Sequence, residues 1–190
     1  AGIKCHVFLP ETIPSSFIDA TKEYGADLRL GGRTIAHAAG KMREEMKKEW
    51  FDLSTLKEPF RVEGKKTMGY EIAEQLDWTL PDVVVYPTGG GTGLIGMWKA
   101  FNEMINFGWV AEKETGMPRM VVVQSDGCAP IVKAFAEGLQ ENDLWEESHT
   151  EALGLNVPSP LGGAWMLKTL RDSGGIALMV DEAQIIEASH

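Results

Sequence analysis

An α/β fold made of two lobes of helix-flanked, mostly parallel sheet is predicted by three features of the chain. They are short β-rich runs, amphipathic helical patterns between them, and a glycine-dense turn where one run meets the clearest helix. Six runs read as strands, at residues 3–9, 27–30, 50–53, 83–86, 120–124 and 176–180. Those at 83–86 and 120–124 are almost wholly apolar, as expected for parallel strands covered by helices on both faces.

The helices follow in order. Phe17, Ile18 and Tyr24 line a short one that Gly25 should end, and Ile35, Ala39, Met42 and Met46 recur at helical spacing in the next. Trp50 extends that buried stripe into the strand expected at 50–53, while residues 41–49 read as a solvated face with Glu44 and Lys48 paired at i,i+4. Met68, Ile72 and Leu76 mark a third helix, stopped before Pro81. Leu94, Met97, Trp98, Phe101, Met104 and Ile105 form the clearest stripe in the chain. Another helix runs from about Ala129, with Pro130 where a first turn tolerates it, to Leu139; a further one spans Gly163 to Arg171, and residues 181–188 begin a last. Residues 55–66 have no period and many charges, so a crossover is placed there, dividing a smaller lobe, residues 1–55, from a larger one, residues 56–190. Lys65 and Lys66 then open the following helix as solvated side chains.

Composition narrows the partners. A hydrophobic content of 44% over 190 residues suffices for buried cores, and a formal net charge of −10 excludes nucleic acid or an anionic membrane surface, since both need a basic face. Any anionic ligand must therefore be held locally. Cys5 and Cys128 are far apart and lack ligand spacing, and His37 and His149 have no carboxylate or cysteine at such spacing, so no metal site is expected. His6 and Cys5 read as packed strand residues. No apolar run approaches a membrane span, and the expectation is a soluble, cytoplasmic protein.

The strongest chemical signal is Tyr86-Pro87-Thr88-Gly89-Gly90-Gly91-Thr92-Gly93-Leu94, between an apolar run and the best helix. Four glycines among the five residues 89–93 let the backbone turn tightly and present N–H groups, and the helix N-terminus adds partial positive charge. That describes a phosphate cradle needing no lysine or arginine; a merely tight strand-to-helix turn is the plainer alternative. Gly91-Thr92-Gly93-Leu94-Ile95-Gly96 also satisfies the GxGxxG dinucleotide pattern, although the acid expected about 20 residues on is missing and only Asp126 is available, farther along. No GK[ST] follows the glycines, which excludes a P-loop.

Three longer segments carry a resemblance. WFDLSTLKEPFRVEGKKTMGYE at 50–71, YPTGGGTGLIGMWKAF at 86–101 and QSDGCAPIVKAF at 124–135 resemble threonine synthases, and AGIKCHVFLP at 1–10 looks like the strand after that family's asparagine loop. The resemblance covers essentially the whole chain, and the 50–71 segment is its most specific part. It implies a fold type II, tryptophan synthase β-like enzyme dependent on pyridoxal 5'-phosphate (PLP), converting O-phosphohomoserine and water to threonine and phosphate. Gly89, Gly90, Gly91, Thr92 and Gly93 would then hold the cofactor phosphate, with the Thr92 hydroxyl as an extra donor. Arg61 would clamp the substrate phosphate, the alternative being an interlobe salt bridge to a nearby acid, and Ser54 and Thr67 would line the same cleft. Cys128 follows a strand end near that cleft without the surroundings of a nucleophile.

The departures from the family are as informative. No Ser-Phe-Lys-Asp-like motif supplies a Schiff-base lysine, the Ser/Thr-x-Gly-Asn loop is missing, and so is the later segment whose hydroxyl meets the pyridine nitrogen. The chain begins Ala1-Gly2 without methionine, and its last helical pattern breaks off. The expectation is an incomplete, central piece of a longer enzyme, without a catalytic residue of its own, inactive alone, and capable of pairing as a homodimer. The alternatives are another fold type II enzyme, of the serine/threonine dehydratase or cysteate synthase type, or a non-catalytic phosphate-binding relative; a nicotinamide-binding module is the weakest.

Overall fold

The computed structural model describes residues 2–110 and 116–188. The chain divides into two compact units, Ala1–Phe51 and Asp52–His190.

In the first unit, β1 (His6–Leu9) and β2 (Asp27–Leu30) pair in parallel, His6 opposite Asp27, with α1 (Ser15–Glu23) between them and α2 (Ile35–Glu45) following. Thr34 caps α2, its hydroxyl accepting from the His37 N–H at 3.3 Å. A polar seam holds the unit together. The Arg29 guanidinium lies 5.6 Å from the ring centres of both Phe8 and Trp50, and it pairs with Asp27 at 3.0 Å and with Glu45. The His6 ring stacks on Trp50 with centroids 3.7 Å apart and bonds Asp27 at 2.8 Å.

This seam corrects two expectations. Residues 50–53 are not a strand: Trp50 is taken up by His6 and Arg29 after a turn closed by its N–H on the Lys47 carbonyl, and the Asp52 carboxylate accepts from the Ser54 N–H at 2.8 Å, bending the chain at once. Residues 43, 44 and 46–49 are exposed as expected. The helix nevertheless ends at Glu45, which faces Arg29, Lys41 reaches back to the Leu30 carbonyl at 2.8 Å, and Lys48 lies beyond the last turn, out of i,i+4 pairing with Glu44.

The second unit contains a three-stranded parallel sheet in the order β3–β4–β5, formed by Val83–Pro87, Arg119–Ser125 and Ile176–Val180. Its helices are α3 (Phe60–Gln75), α4 (Thr92–Asn106), α5 (Pro130–Ala136), α6 (Gly163–Asp172) and α7 (Glu182–Ala188). Leu94, Met97, Phe101 and Met104 of α4, the clearest stripe in the sequence, are fully buried against Met120 and Val122 of β4, Ile131 of α5, and Met166, Leu167 and Leu170 of α6. The α7 start is a reciprocal capping box: the Gln184 N–H donates to the Asp181 carboxylate at 2.8 Å, and the Asp181 N–H to the Gln184 side chain at 3.4 Å.

The second unit also departs from expectation. Among the described residues Val84, Met120 and Val122 enter the core on one face of the sheet, whereas on the other Val121 is buried in the central strand and Val83, Val85, Ile176 and Leu178 are exposed. An all-apolar run cannot by itself say which of its two faces a neighbour covers. Helix α3 begins at Phe60, inside the stretch assigned to a crossover, because Pro59 precedes it and the Glu58 carboxylate accepts from the Arg61 N–H at 3.1 Å. Its buried positions are Gly69 and Ala73, too small to register as a stripe, while Leu76 beyond its end is exposed. Lys66 is no free surface lysine either; it pairs with Glu63 and, at 2.7 Å, with Glu103 of α4. Among the described residues no helix is long and apolar enough to cross a membrane.

Candidate functional site at the carboxyl ends of parallel strands

Open parallel sheets bind ligands beyond the carboxyl ends of their strands. In the second unit those ends are Pro87, Ser125 and Val180, and the glycine loop leaves from the first of them. Thr88 anchors its entrance: the N–H continues the ladder to the Val123 carbonyl at 2.9 Å, and the hydroxyl turns back to the Tyr86 carbonyl at 2.7 Å.

The glycines have different duties. Gly91 is left-handed at φ 84° and stands where α4 begins, and a Cβ there would collide with the Met166 sulfur. A Cβ on Gly89 would meet the Gly154 carbonyl and Leu155 at 3.1 Å, and one on Gly93 would strike the Tyr86 hydroxyl. Gly90 alone of the four has room, its nearest neighbour being the Thr55 methyl at 3.8 Å. Among the described residues no hydrogen bond takes up the N–H groups of Gly89, Gly90, Gly91, Thr92 or Gly93. These donors lie at the positive end of a 15-residue helix, and at Gly90 a Cβ would make only ordinary contact with the Thr55 methyl. Such a loop can hold a phosphate dianion by backbone dipoles alone, which suits an acidic chain, and a cofactor carried by its phosphate fits the residues present.

Behind the loop stand polar groups that the sequence reading passed over. Gln124, 1% exposed, donates to the Thr88 carbonyl at 3.0 Å and accepts from the Ile131 and Val132 N–H groups of α5 at 2.9 and 3.3 Å. Next to it the Ser125 hydroxyl donates to Glu182, whose other oxygen accepts from the Glu151 N–H at 2.8 Å. Hydrogen bonds from Ser125, Thr150 and the Glu151 backbone hold the Glu182 carboxyl below the usual range. One signal for both was present: Gln124 and Ser125 follow the apolar run at 120–123 in their strand, where a buried side chain must find polar partners. Burial pushes the Cys128 thiol up, against a smaller opposing effect of a Val157 backbone hydrogen bond, so it stays protonated and a poor nucleophile.

The candidate substrate residues are brought together only in part. Ser54, exposed, lies in the turn before α3, beside the Thr55 that approaches Gly90. Arg61, in the first turn of α3 and half exposed, donates to the Leu53 carbonyl at 2.8 Å and faces Glu58 at 3.9 Å, within the one unit. Thr67 is exposed, and its hydroxyl donates to the Gly64 carbonyl at 2.8 Å.

Comparison with known proteins agrees with the fold. The chain is 31% identical over 189 residues to threonine synthase of Methanocaldococcus jannaschii, a match covering 99% of this chain and 46% of that protein. It is 35% identical over 130 residues to threonine synthase of Methanosarcina acetivorans, covering 68% of this chain and 31% of the relative. The chain thus spans about half the length of the first of these or less. Among solved structures, a fungal L-serine ammonia-lyase from Rhizomucor miehei shares the fold with a TM-score of 0.80 at 18% identity, over 96% of this chain and 54% of its own. The nicotinamide reading of Gly91–Gly96 gives way accordingly. The family model described as pyridoxal-phosphate dependent enzyme matches residues 1–190, and the chain belongs to that family.

Proposed function

We propose that the chain supplies the cofactor-phosphate cradle and one flank of the substrate site of a threonine synthase-like lyase, which converts O-phosphohomoserine and water to threonine and phosphate in the cytoplasm. The observation that carries this reading is the set of N–H groups from Gly89 to Gly93, uncommitted among the described residues, at the start of α4. They bind the PLP phosphate, with the Thr92 hydroxyl as a further donor. PLP, when bound, supplies the electron sink that such eliminations need. This chain's own residues bind and orient. Arg61 exchanges the Leu53 carbonyl and Glu58 for the phosphate of the substrate, Ser54 beside Thr55 adds a hydroxyl donor, and Thr67 lies farther along the same helix.

On this reading the 190 residues bind the cofactor weakly and do not turn over substrate alone, since the sequence holds no Ser-Phe-Lys-Asp-like motif. Titration with PLP, then borohydride reduction and intact mass, is the test. The full-length gene product should give one covalent adduct and release phosphate from O-phosphohomoserine, and the 190-residue chain should give no specific adduct. Consumption of unphosphorylated threonine without phosphate release would move the assignment to a dehydratase. A specific adduct on the short chain would overturn the division of labour.

A further inference from the structure

The first peptide of the glycine loop is fixed from behind by a single side chain. Gln124 is fully buried and its amide is engaged at both ends, with the Thr88 carbonyl on one side and the Ile131 and Val132 N–H groups on the other. One NH2 hydrogen meets the Thr88 carbonyl, and the amide can point only one way, because both α5 partners are donors and must face its oxygen. Pro130, at the first position of α5, has no N–H, so Gln124 takes the next two orphan donors of that helix from outside it.

The consequence lies in the peptide that joins Thr88 to Gly89. A trans peptide is planar, with its C=O and N–H opposed. Holding the Thr88 oxygen inward on Gln124 therefore aims the Gly89 N–H outward, away from the core. The preceding peptide is fixed too, by the Thr88 N–H on the Val123 carbonyl at 2.9 Å. Gly89 has little freedom to compensate, since the backbone of residues 154–155 stands against it.

We infer that Gln124 is a positioning residue for phosphate binding, which orients the first donor of the loop without touching the ligand. This rests on the cradle reading above. Its test compares the affinities of the full-length protein for PLP and for pyridoxal, which lacks the phosphate, so that their ratio isolates the loop's contribution. Gln124→Met keeps the volume and loses all three hydrogen bonds. Gln124→Glu keeps the acceptor for α5 and sets a carboxylate against the Thr88 carbonyl. Both variants should lower the PLP-to-pyridoxal affinity ratio by about tenfold or more, the size of one charge-assisted hydrogen bond. Pyridoxal affinity should stay near wild type, which a general loss of structure would not allow. An unchanged ratio in either folded variant overturns the inference.

If neither variant folds, the wild type decides. The Gln124 side-chain amide resonance should shift on adding PLP and not on adding pyridoxal, and no shift overturns the inference. Wild-type protein that binds PLP no better than pyridoxal would instead overturn the phosphate cradle itself.

Discussion

Gly90 and Gly91 are adjacent in sequence and opposite in what they tolerate. At Gly91 an alanine would sit at positive φ, costing about 1–2 kcal/mol, and would press on the Met166 sulfur. Urea unfolding should show Gly91→Ala less stable by about 2–4 kcal/mol in all, strain and overpacking together. Gly90 has space for a side chain, with the Thr55 methyl 3.8 Å away. Gly90→Asp should therefore unfold close to wild type, while full-length protein carrying it binds PLP at least about tenfold more weakly, because a carboxylate then faces the unspent N–H groups. Calorimetry for the fold and fluorescence titration for the cofactor separate the two effects. The run of glycines was legible because a turn is a local matter. Which glycine has room for a side chain was not, since Met166, Gly154 and Thr55 are brought against the loop by the tertiary fold.

Helices α3 and α4 show how a close packing can hide from a pattern search. Their contact is built on small residues: a Cβ on Gly69 would lie 2.7 Å from the Ala100 methyl, and one on Gly96 would lie 2.8 Å from the Lys65 Cβ and 2.9 Å from its carbonyl carbon. Met68 and Ile72 pack against the core as the sequence suggested, but the start of α3, at residues 60–66, is charged and carries no apolar period, which is why the sequence placed it too late. Gly96→Val should destabilise by about 1–3 kcal/mol, the usual cost of overpacking, since the backbone at Lys65 cannot swing aside. Thermal unfolding measures it, and Gly64→Ala, with open space around it, serves as the control that should not destabilise.

Across the second unit, charge pairing adds a dependence on pH. Hydrogen bonds from Lys66 and Lys99, with a smaller one from Tyr70, hold the Glu103 carboxyl down to about 2, against partial burial that works the other way. The same two lysines lower Glu63. A carboxyl whose pKa is depressed in the folded state stabilises fully above its unfolded value and loses that contribution as pH falls through the folded one. Stability should therefore fall between about pH 4.5 and about pH 2. Glu103→Gln should be less stable than wild type at neutral pH, with the difference shrinking across that window. Urea midpoints at pH 7 and at the acid end check it, and a constant difference would mean that Glu103 is not the titrating group.

The sequence by itself determined the class of fold, the strand before the glycines, the stripe of α4 and the family, because each is written in contiguous residues whose periodicity or spacing has a local physical cause. The tertiary structure decided the rest. It alone paired Gln124 with Thr88, set Trp50 on His6 instead of in a strand, and joined Lys66 to Glu103. Each of these joins groups distant in the chain, and a buried hydrogen bond or a covered face depends on which partner the fold delivers, which no local pattern records.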